Sequence, residues 1–329
     1  MNKRIELPLV EPIYSTYQYQ GAGGAIIKNN PSIRNWYLNE AIILTCTTKF
    51  LTGFTTPEME IENSEWWNVP YIEKKWYNTR FINRHVNEII RNMLNEDYYV
   101  DFMGVDDYYI EGKSWYRERH FGHDGLICGY DQDKKTYTIY SYDVNWIYRK
   151  FEISQKSFSA GRQAMIKNGD YPNLCLLKPS LDIVKLEPEV ILNRLLEYLD
   201  PSSNNKPVIE EEIVRGIKVH DYLSIYIDEL YDGMITYDRL DRRIFRLIWE
   251  HKKAMCERLY KVENLLQLDN EISSKYNQIV SIADTMRMLY ASHHLKRRDS
   301  LLPIIKKKLI EVKNEEEKLL REFLDKAKG

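Results

Sequence analysis

Several features are missing from this sequence, and each absence removes a class of protein. No apolar run reaches transmembrane length, and the first residues, Met1 to Glu6, lack the apolar segment of a signal peptide. Lysine and arginine number 47 against 49 aspartates and glutamates, so the formal net charge is only −2 and no basic field attracts nucleic acid. We therefore expect a cytoplasmic protein that binds neither a membrane nor nucleic acid.

Cysteine is also scarce, with four residues in 329 and no C-x-x-C pair. The four are Cys46, Cys128, Cys175 and Cys256. This scatter argues against a zinc site and against a disulfide framework. The stretch Gly21–Gly24 lacks the Lys-Ser/Thr that follows a phosphate loop, and we interpret it as a turn. Neither a metal nor a cofactor is expected.

The composition changes along the chain. Every tryptophan except Trp249 precedes the change, whereas the chain from Glu187 onward is rich in Leu, Ile, Glu, Lys and Arg. Prolines and small polar residues mark the change, because they stop helices and favour turns. We predict one domain over residues 1–185, a second over residues 186–329, and a flexible loop at 200–207.

The second domain has the periodicity of helices. Apolar residues recur at helical spacing, with charged residues between them, in Tyr237–Gln267, Ile272–His294 and Leu301–Leu324. Asp299-Ser300, with Pro303 in the first turn, is an ordinary helix start. The pattern predicts a C-terminal α-helical bundle.

Two polar clusters in this bundle have simple interpretations. The lysines Lys306–Lys308 are followed by acidic residues, which indicates a solvated helix face rather than an anion site. His293 and His294 have no carboxylate or thiol at metal-ligand spacing, so we interpret them as surface or interface residues. Self-association, if it occurs, is expected as a homodimer through the helical domain.

The first domain combines helices and strands. Asn35–Leu51 is predicted to be a long apolar helix, with polar residues before it that could cap its start. Arg80–Leu94 suits a second, amphipathic helix. Asn95–Asp97 breaks that helix, and Tyr98–Met103 is predicted to be the first strand. The fold class is therefore α+β.

A β-hairpin is predicted after this strand. An apolar run from His123 to Cys128 and a β-rich run from Thr136 to Asp143 flank the polar turn Gln132–Lys135. The pairing would bring His123, at the start of one strand, near Asp143, at the end of the next. Such a pair can act as the base and its orienting carboxylate in a nucleophile, base and orienter site.

The order of these elements resembles the papain-like cysteine-peptidase fold. A buried helix, a helical stretch, a strand after the break at Asn95–Asp97 and a His-x5-Gly-Tyr-Asp segment at His123–Asp131 carry the resemblance. Within that fold, the chain most resembles the family of the N-terminal domain of butirosin biosynthesis protein H, found beside nonribosomal peptide assembly lines. The likeness covers roughly residues 10–180.

This resemblance implies an activity in antibiotic or peptide assembly. In that family a cysteine is acylated by a carrier-protein thioester, and the acyl group then passes to an amine. Carried over to this chain, His123 is the base and Asp143 its orienter. The implied partners are an acyl or peptidyl carrier protein and a small amine or peptide substrate.

The nucleophile is the open position. In that fold the cysteine lies at the N-terminus of the buried helix, where amides and the helix dipole lower its pKa, but Ser32–Tyr37 contains no cysteine. The candidate is Cys46. If the helix begins near Asn35, Cys46 lies about 16 Å along its axis and is a core residue. If it begins near Thr45, the helix amides face Cys46, which is then the acylated thiol.

Other residues near the hairpin are candidates for a role. His120 is an alternative base, although the spacing of His123 to the following Gly-Tyr-Asp segment fits the family better. Asp106, Asp107 and Tyr108 lie in the loop before the histidine strand, where they could bind a cationic amine by charge and cation–π contact. The alternative is a tyrosine-rich, hydrogen-bonded turn.

Three functions follow from this reasoning. The leading hypothesis is an acyltransferase that joins a carrier-bound acyl group to an amine. A thioester is already activated, so this reaction requires no ATP loop or metal. The second is a non-catalytic binding or scaffold protein that kept the cleft after losing the nucleophile. The third is a cysteine amidohydrolase or peptidase that acts on small amides.

Overall fold

A computed structural model describes residues 3–52, 56–170, 173–201, 213–237 and 240–328. Contacts divide the chain into a sheet unit, Met1–Arg34 with Glu65–Val184, and a helical unit, Asn35–Ser64 with Lys185–Gly329. The predicted boundary near Lys185 coincides with a change of unit, whereas residues 35–64, assigned by prediction to the first domain, group with the C-terminal residues. Most of the predicted loop at 200–207 lies outside the described residues.

The described residues form strands and helices in alternation along the first half of the chain and mainly helices thereafter. The strands are β1 (Arg4–Glu6), β2 (Leu44–Thr47), β3 (Met59–Ile61), β4 (Ile72–Asn78), β5 (Tyr99–Asp106), β6 (Gly122–Asp131), β7 (Thr136–Tyr142), β8 (Tyr148–Ser154), β9 (Asn173–Pro179) and β10 (Ile213–Arg215). The helices are α1 (Gln18–Ala25), α2 (Ile33–Glu40), α3 (Thr79–Ile82), α4 (Val86–Asn95), α5 (Gln155–Lys167), α6 (Pro188–Leu199), α7 (Val219–Tyr231), α8 (Ile244–Leu265), α9 (Glu271–Lys296) and α10 (Leu302–Lys328).

A seven-stranded antiparallel sheet is the centre of the sheet unit. Six strands lie in the order β4-β9-β5-β6-β7-β8, and β1 pairs with the far end of β6. Alternate residues of β7 are buried, namely Tyr137, Ile139 and Ser141, which is the period of two that a strand imposes on its side chains. The α+β class is confirmed, with a helical C-terminal region.

The predicted hairpin consists of β6 and β7. Tyr130 opposes Tyr137 near the turn, and Leu126 opposes Tyr140 further along. The ladder between the two strands ends at Leu126. Two residues, Asp124 and Gly125, therefore lie between the last pair and His123, and the hairpin does not fix how close the ends of the two strands lie.

Helix α1 is short and almost entirely buried against β6 and β7. Its glycines allow this close packing. A Cβ on Gly21 would lie 2.5 Å from the ring of Tyr148, and one on Gly24 would lie 2.7 Å from Cβ of Pro12. Both distances are far below van der Waals contact. The interpretation of Gly21–Gly24 as a turn is therefore wrong, because close packing explains these glycines within a helix.

The predicted long helix Asn35–Leu51 is also wrong, because α2 ends at Glu40. The guanidinium of Arg258 donates hydrogen bonds to the carbonyl oxygens of Leu38 at 2.8 Å and Tyr37 at 3.0 Å, and to that of Ala41. These are the carbonyl groups that a helix leaves without partners at its C-terminus. A buried arginine thus caps the helix.

The residues after α2 form a strand instead. Cys46 lies on β2, where it opposes Met59 of β3 on one side and Val214 of β10 on the other. Thr45 and Thr47 flank it, and β-branched residues fit a pleated, half-buried surface. The apolar run around Cys46 could form a helix or a strand on sequence alone. Pairing with β3 on one side and β10 on the other makes it a strand.

Helices α6 to α10 form the C-terminal helical region. Helix α9 packs against both α8 and α10, and the three correspond to the predicted amphipathic stretches. Pro303 lies in the first turn of α10, as predicted. Among the described residues, none of these helices is both long and apolar enough to cross a membrane.

His293 was predicted to be a surface or interface residue, but the structure buries it. Its ring is buried on α9, 5.2 Å from the ring of Tyr237 and 6.1 Å from that of Tyr290, while His294 is half-buried. The apolar period of α9 does not reveal this, because a histidine can lie on either face of an amphipathic helix. Contact with the tilted rings of two tyrosines explains why the buried face accepts it.

A buried polar network lies inside the helical unit. Glu316 on α10 accepts hydrogen bonds from Nζ of Lys252 at 2.6 Å, from the hydroxyl of Tyr198 at 2.9 Å, and from the hydroxyl of Tyr276. None of these side chains is exposed. Charged groups are buried at tolerable cost only when they are paired and hydrogen-bonded in this way.

Two buried histidines beside this network predict a loss of stability in acid. Burial and the charge of Lys252 hold the pKa of both His220 and His251 well below 6.5. Below about pH 6.5 the unfolded chain therefore binds protons that the folded chain does not, and the free energy of unfolding falls by up to about 1.4 kcal/mol per histidine and pH unit. Urea unfolding at pH 7.5 and 5.5 measures this, and His220→Gln should reduce the difference. Equal stability at the two pH values would contradict it.

Candidate active site

The candidate site lies where β5 and β6 meet. The ladder pairs Val105 with His123, and Asp107 is the first residue after β5, in the 3-10 turn Asp107–Tyr109. Nδ1 of His123 is hydrogen-bonded to Oδ2 of Asp107 at 3.0 Å. The carboxylate beside His123 therefore comes from the turn that directly follows β5, the other neighbour of β6, and not from the hairpin partner β7.

A buried lysine stands behind this pair. Nζ of Lys113 lies 3.7 Å from Oδ1 of Asp107 and donates a hydrogen bond to Oγ of Ser141 at 2.7 Å. Burial lowers the pKa of Lys113, while the charge of Asp107 works to raise it. Because the Asp107 carboxylate is held between an ammonium and an imidazole, it has a fixed position from which to orient His123.

The hydrogen bonds around Lys113 continue through Ser141 to the N-terminus of α1. Oγ of Ser141 donates to Oε1 of Gln18, the first residue of that helix, and lies 3.3 Å from the carbonyl oxygen of Asp124. Burial raises the pKa of the Asp124 carboxyl, although an amide hydrogen bond from Gly104 works against this. A chain of polar contacts thus joins His123, Asp107, Lys113, Ser141 and Gln18.

Asp143 does not orient His123, and that prediction is corrected. Its carboxylate accepts hydrogen bonds from the amides of Asn145 and Ile147 at 2.8 and 2.9 Å and from Nε of Arg149 at 2.5 Å. Burial works to raise its pKa, but these hydrogen bonds lower it overall. Asp143 therefore stabilises the turn between β7 and β8, since the hairpin ladder stops before it reaches this residue.

Cys46 is not at a helix N-terminus, whichever start is assumed for the predicted helix. It lies on β2 in the helical unit, whereas His123 belongs to the sheet unit. Burial, aided by Glu58, raises the pKa of its thiol to about 12, and the thiol donates to the carbonyl oxygen of Thr47 at 3.4 Å. It is therefore a protonated, buried thiol at neutral pH.

The other cysteines share this property. Burial raises the pKa of Cys128 and Cys175 to about 12 and also raises that of Cys256. A nucleophilic cysteine requires a lowered pKa. None of the four cysteines of the chain therefore has the environment of an activated nucleophile.

A second histidine and aspartate pair lies beside the first. Nδ1 of His120 is 2.7 Å from Oδ2 of Asp106, and the His120 ring stacks on Tyr108 with 4.3 Å between centroids. Asp106 also accepts hydrogen bonds from the amides of Tyr108 and Phe121. The sequence signal for this arrangement is a pair of adjacent aspartates where β5 ends and a pair of histidines, three positions apart, around the start of β6.

The predicted substrate-binding residues have other partners. Asp106 and Asp107 are buried, and their carboxylates hold His120 and His123 rather than standing free for a cationic amine. Tyr108 is half-buried under the His120 ring. These residues therefore position the two histidines, which is a different role from the one predicted.

The geometry of His123 suits a general base. Its side chain is 24% exposed, and within the described residues no hydrogen bond engages its Nε2. A carboxylate on Nδ1 fixes the ring and its tautomer, which leaves Nε2 to accept a proton. His120 has the same Nδ1 contact but a 61% exposed side chain, so water surrounds it more fully.

No described group of three or more His, Cys, Asp or Glu residues is arranged to hold a metal ion. Comparison with protein-family models gives no match to this chain, and comparison with curated proteins gives no similar sequence.

Proposed function

We propose that this protein is an acyltransferase of papain-like fold in which His123 acts as a general base on a noncovalent complex of an acyl thioester and an amine. The observation that carries the proposal is the 3.0 Å contact between Nδ1 of His123 and the buried Asp107. The burial of α1 against β6 and β7, with a histidine at the start of β6, supports the papain-like assignment.

The chemistry needs a base and no thiol on the protein. The amine nitrogen attacks the thioester carbonyl carbon, and Nε2 of His123 takes the proton that the nitrogen loses. The carbon–sulfur bond then breaks, and the departing thiolate receives that proton. The products are an amide and a free thiol, with no change of oxidation state. This route replaces the covalent one implied by the family resemblance, because each cysteine of the chain has a raised pKa.

The donor in this proposal is an acyl or peptidyl carrier protein, and the acceptor is a small amine or a peptide. An assay with acyl thioesters and a panel of primary amines tests it. We expect amide product by mass spectrometry and no increase in the intact mass of the protein. An acyl adduct on any cysteine would overturn the noncovalent mechanism, and absence of product with every donor and acceptor would overturn the activity.

Cys46→Ala separates the two mechanisms directly. We expect the variant to retain turnover and to lose about 1 kcal/mol or somewhat more of stability, because a buried side chain is truncated. We also expect wild-type Cys46 to alkylate slowly near neutral pH, since burial raises its pKa to about 12. Peptide mapping after iodoacetamide treatment measures the alkylation. Loss of all turnover with an unchanged melting temperature would restore Cys46 as the nucleophile.

A second candidate function is a binding or scaffold protein. The observation in its favour is that burial raises the pKa of all four cysteines, so none of them has the environment of an activated nucleophile. In that case thioester and amine would bind without reacting. The third hypothesis, a cysteine hydrolase, has no comparable support, because it requires a thiolate.

A further inference from the structure

An exposed stretch of chain leads into the candidate base. Residues 117–122 are all exposed, and they end one residue before His123. The stretch is nevertheless held in place, since the amide of Arg117 donates to the carbonyl oxygen of Tyr108 at 3.0 Å and that of Arg119 to the carbonyl oxygen of Trp115 at 3.3 Å. Arg117 has a φ of 57°, a left-handed conformation that is uncommon for a residue other than glycine.

Both arginines stand over aromatic rings. The guanidinium carbon of Arg117 lies 5.1 Å from the centroid of the Tyr116 ring, and that of Arg119 lies 5.6 Å from the ring of Trp115. Within the described residues, neither guanidinium has a carboxylate partner, in contrast to Arg149, which pairs with Asp143. The rings restrict the two side chains while their donor groups stay available.

We propose that Arg117 and Arg119 form an anion site that binds a phosphate group of the acyl donor, namely the phosphate of a phosphopantetheine arm. Guanidinium groups match phosphate oxygens with paired hydrogen bonds, and stacking on rings reduces the entropy lost on binding. The link to the donor rests on the proposed acyl transfer, whereas the anion site itself stands on the two arginines.

The position of the site suits such a donor. Arg119 and Arg117 lie four and six positions before His123, so even a fully extended chain would place them at most about 14 and 21 Å from it. A pantetheine arm carries its phosphate at one end and its thioester at the other. The arginines would therefore hold the anionic end while the thioester carbonyl approaches the base.

A binding experiment tests the site without requiring turnover. The probes are phosphopantetheine, pantetheine and inorganic phosphate, and calorimetry is performed on wild type and on the double variant Arg117→Gln/Arg119→Gln. We expect wild type to bind phosphopantetheine at least 10-fold more tightly than pantetheine, and the double variant to lose that preference. Arg84→Gln is the matched control, since Arg84 is also exposed but stands over no ring among the contacts described. This control should behave as wild type.

Each contrary result has a distinct meaning. Equal affinity of wild type for the two pantetheine compounds, or an unchanged preference in the double variant, overturns the site. Inorganic phosphate that binds as tightly as phosphopantetheine overturns the assignment to the arm. If no amide forms with any donor but the phosphate preference and its loss in the double variant are seen, the proposed acyl transfer fails while the anion site is supported.

Discussion

Replacing His123 by alanine is expected to lower kcat/KM for acyl transfer by about 10²- to 10⁴-fold, the usual contribution of a positioned general base. In the proposed reaction the amine loses a proton as it attacks, and Nε2 of His123, whose ring is held by the Asp107 contact, is the proposed acceptor. The side chain is partly exposed, so the substitution should leave the melting temperature nearly unchanged. Initial rates with a saturating amine, together with a thermal melt, measure both effects.

His120→Ala is the matched control for this prediction. It removes a histidine three residues away that makes the same contact with a neighbouring aspartate. We expect it to keep most of the activity, and we expect added imidazole to restore part of the rate of His123→Ala. If His120→Ala is the inactive variant and His123→Ala is not, then the base is His120. If both variants keep full activity, neither histidine is the base.

His123 could be selected from the sequence as the candidate base more readily than its carboxylate partner could. The run of apolar residues after His123 and the turn at Gln132–Lys135 predict a hairpin, and a hairpin makes its own second strand the obvious source of a carboxylate. A central strand has two neighbours, however. The carboxylate that contacts His123 directly follows the other neighbour, β5, whose pairing with β6 shifts in register at a bulge between Phe102 and Val105. Such a shift is not visible in the sequence pattern, so Asp107 could not be identified as the partner.

The wrong assignment around Cys46 has a related cause. A short apolar run fits a buried helix and a buried strand equally well. The run around Cys46 forms strand β2 because β10, more than 160 residues later in the chain, pairs with it. Helix α1 was missed for the opposite reason: its glycines weaken the helical signal, and only the close approach of Tyr148 and Pro12 explains them.

The helices of the second domain were the most predictable elements, because their apolar period is long and regular. The charged residues buried between these helices could not be predicted from the sequence. Lys252 and Glu316 look like residues of solvated helix faces, yet both are fully buried and 2.6 Å apart. Helical periodicity shows which side of a helix is apolar, but it does not show that a charged residue lies within that side.

Glu316→Ala should therefore be the most destabilising substitution considered, with a loss of about 3 to 5 kcal/mol in the free energy of unfolding. The substitution leaves the Lys252 ammonium buried without its counter-charge and takes the acceptor from two tyrosine hydroxyls. Urea unfolding followed by circular dichroism measures the loss. The matched control is Glu317→Ala at the next position, whose partner Arg321 is largely exposed, and that variant should lose well under about 1 kcal/mol.

A double variant shows whether the loss comes from the unpaired charge. Lys252→Met together with Glu316→Leu removes both charges and replaces them with apolar groups, and such replacements of buried ion pairs are often neutral or stabilising. We expect it to recover most of the stability lost in Glu316→Ala, although two tyrosine hydroxyls would still lack an acceptor and keep the recovery incomplete. If the double variant is less stable than Glu316→Ala, the network stabilises the helical unit through its hydrogen bonds rather than through charge pairing. If Glu316→Ala costs no more than Glu317→Ala, the carboxylate is not buried as described.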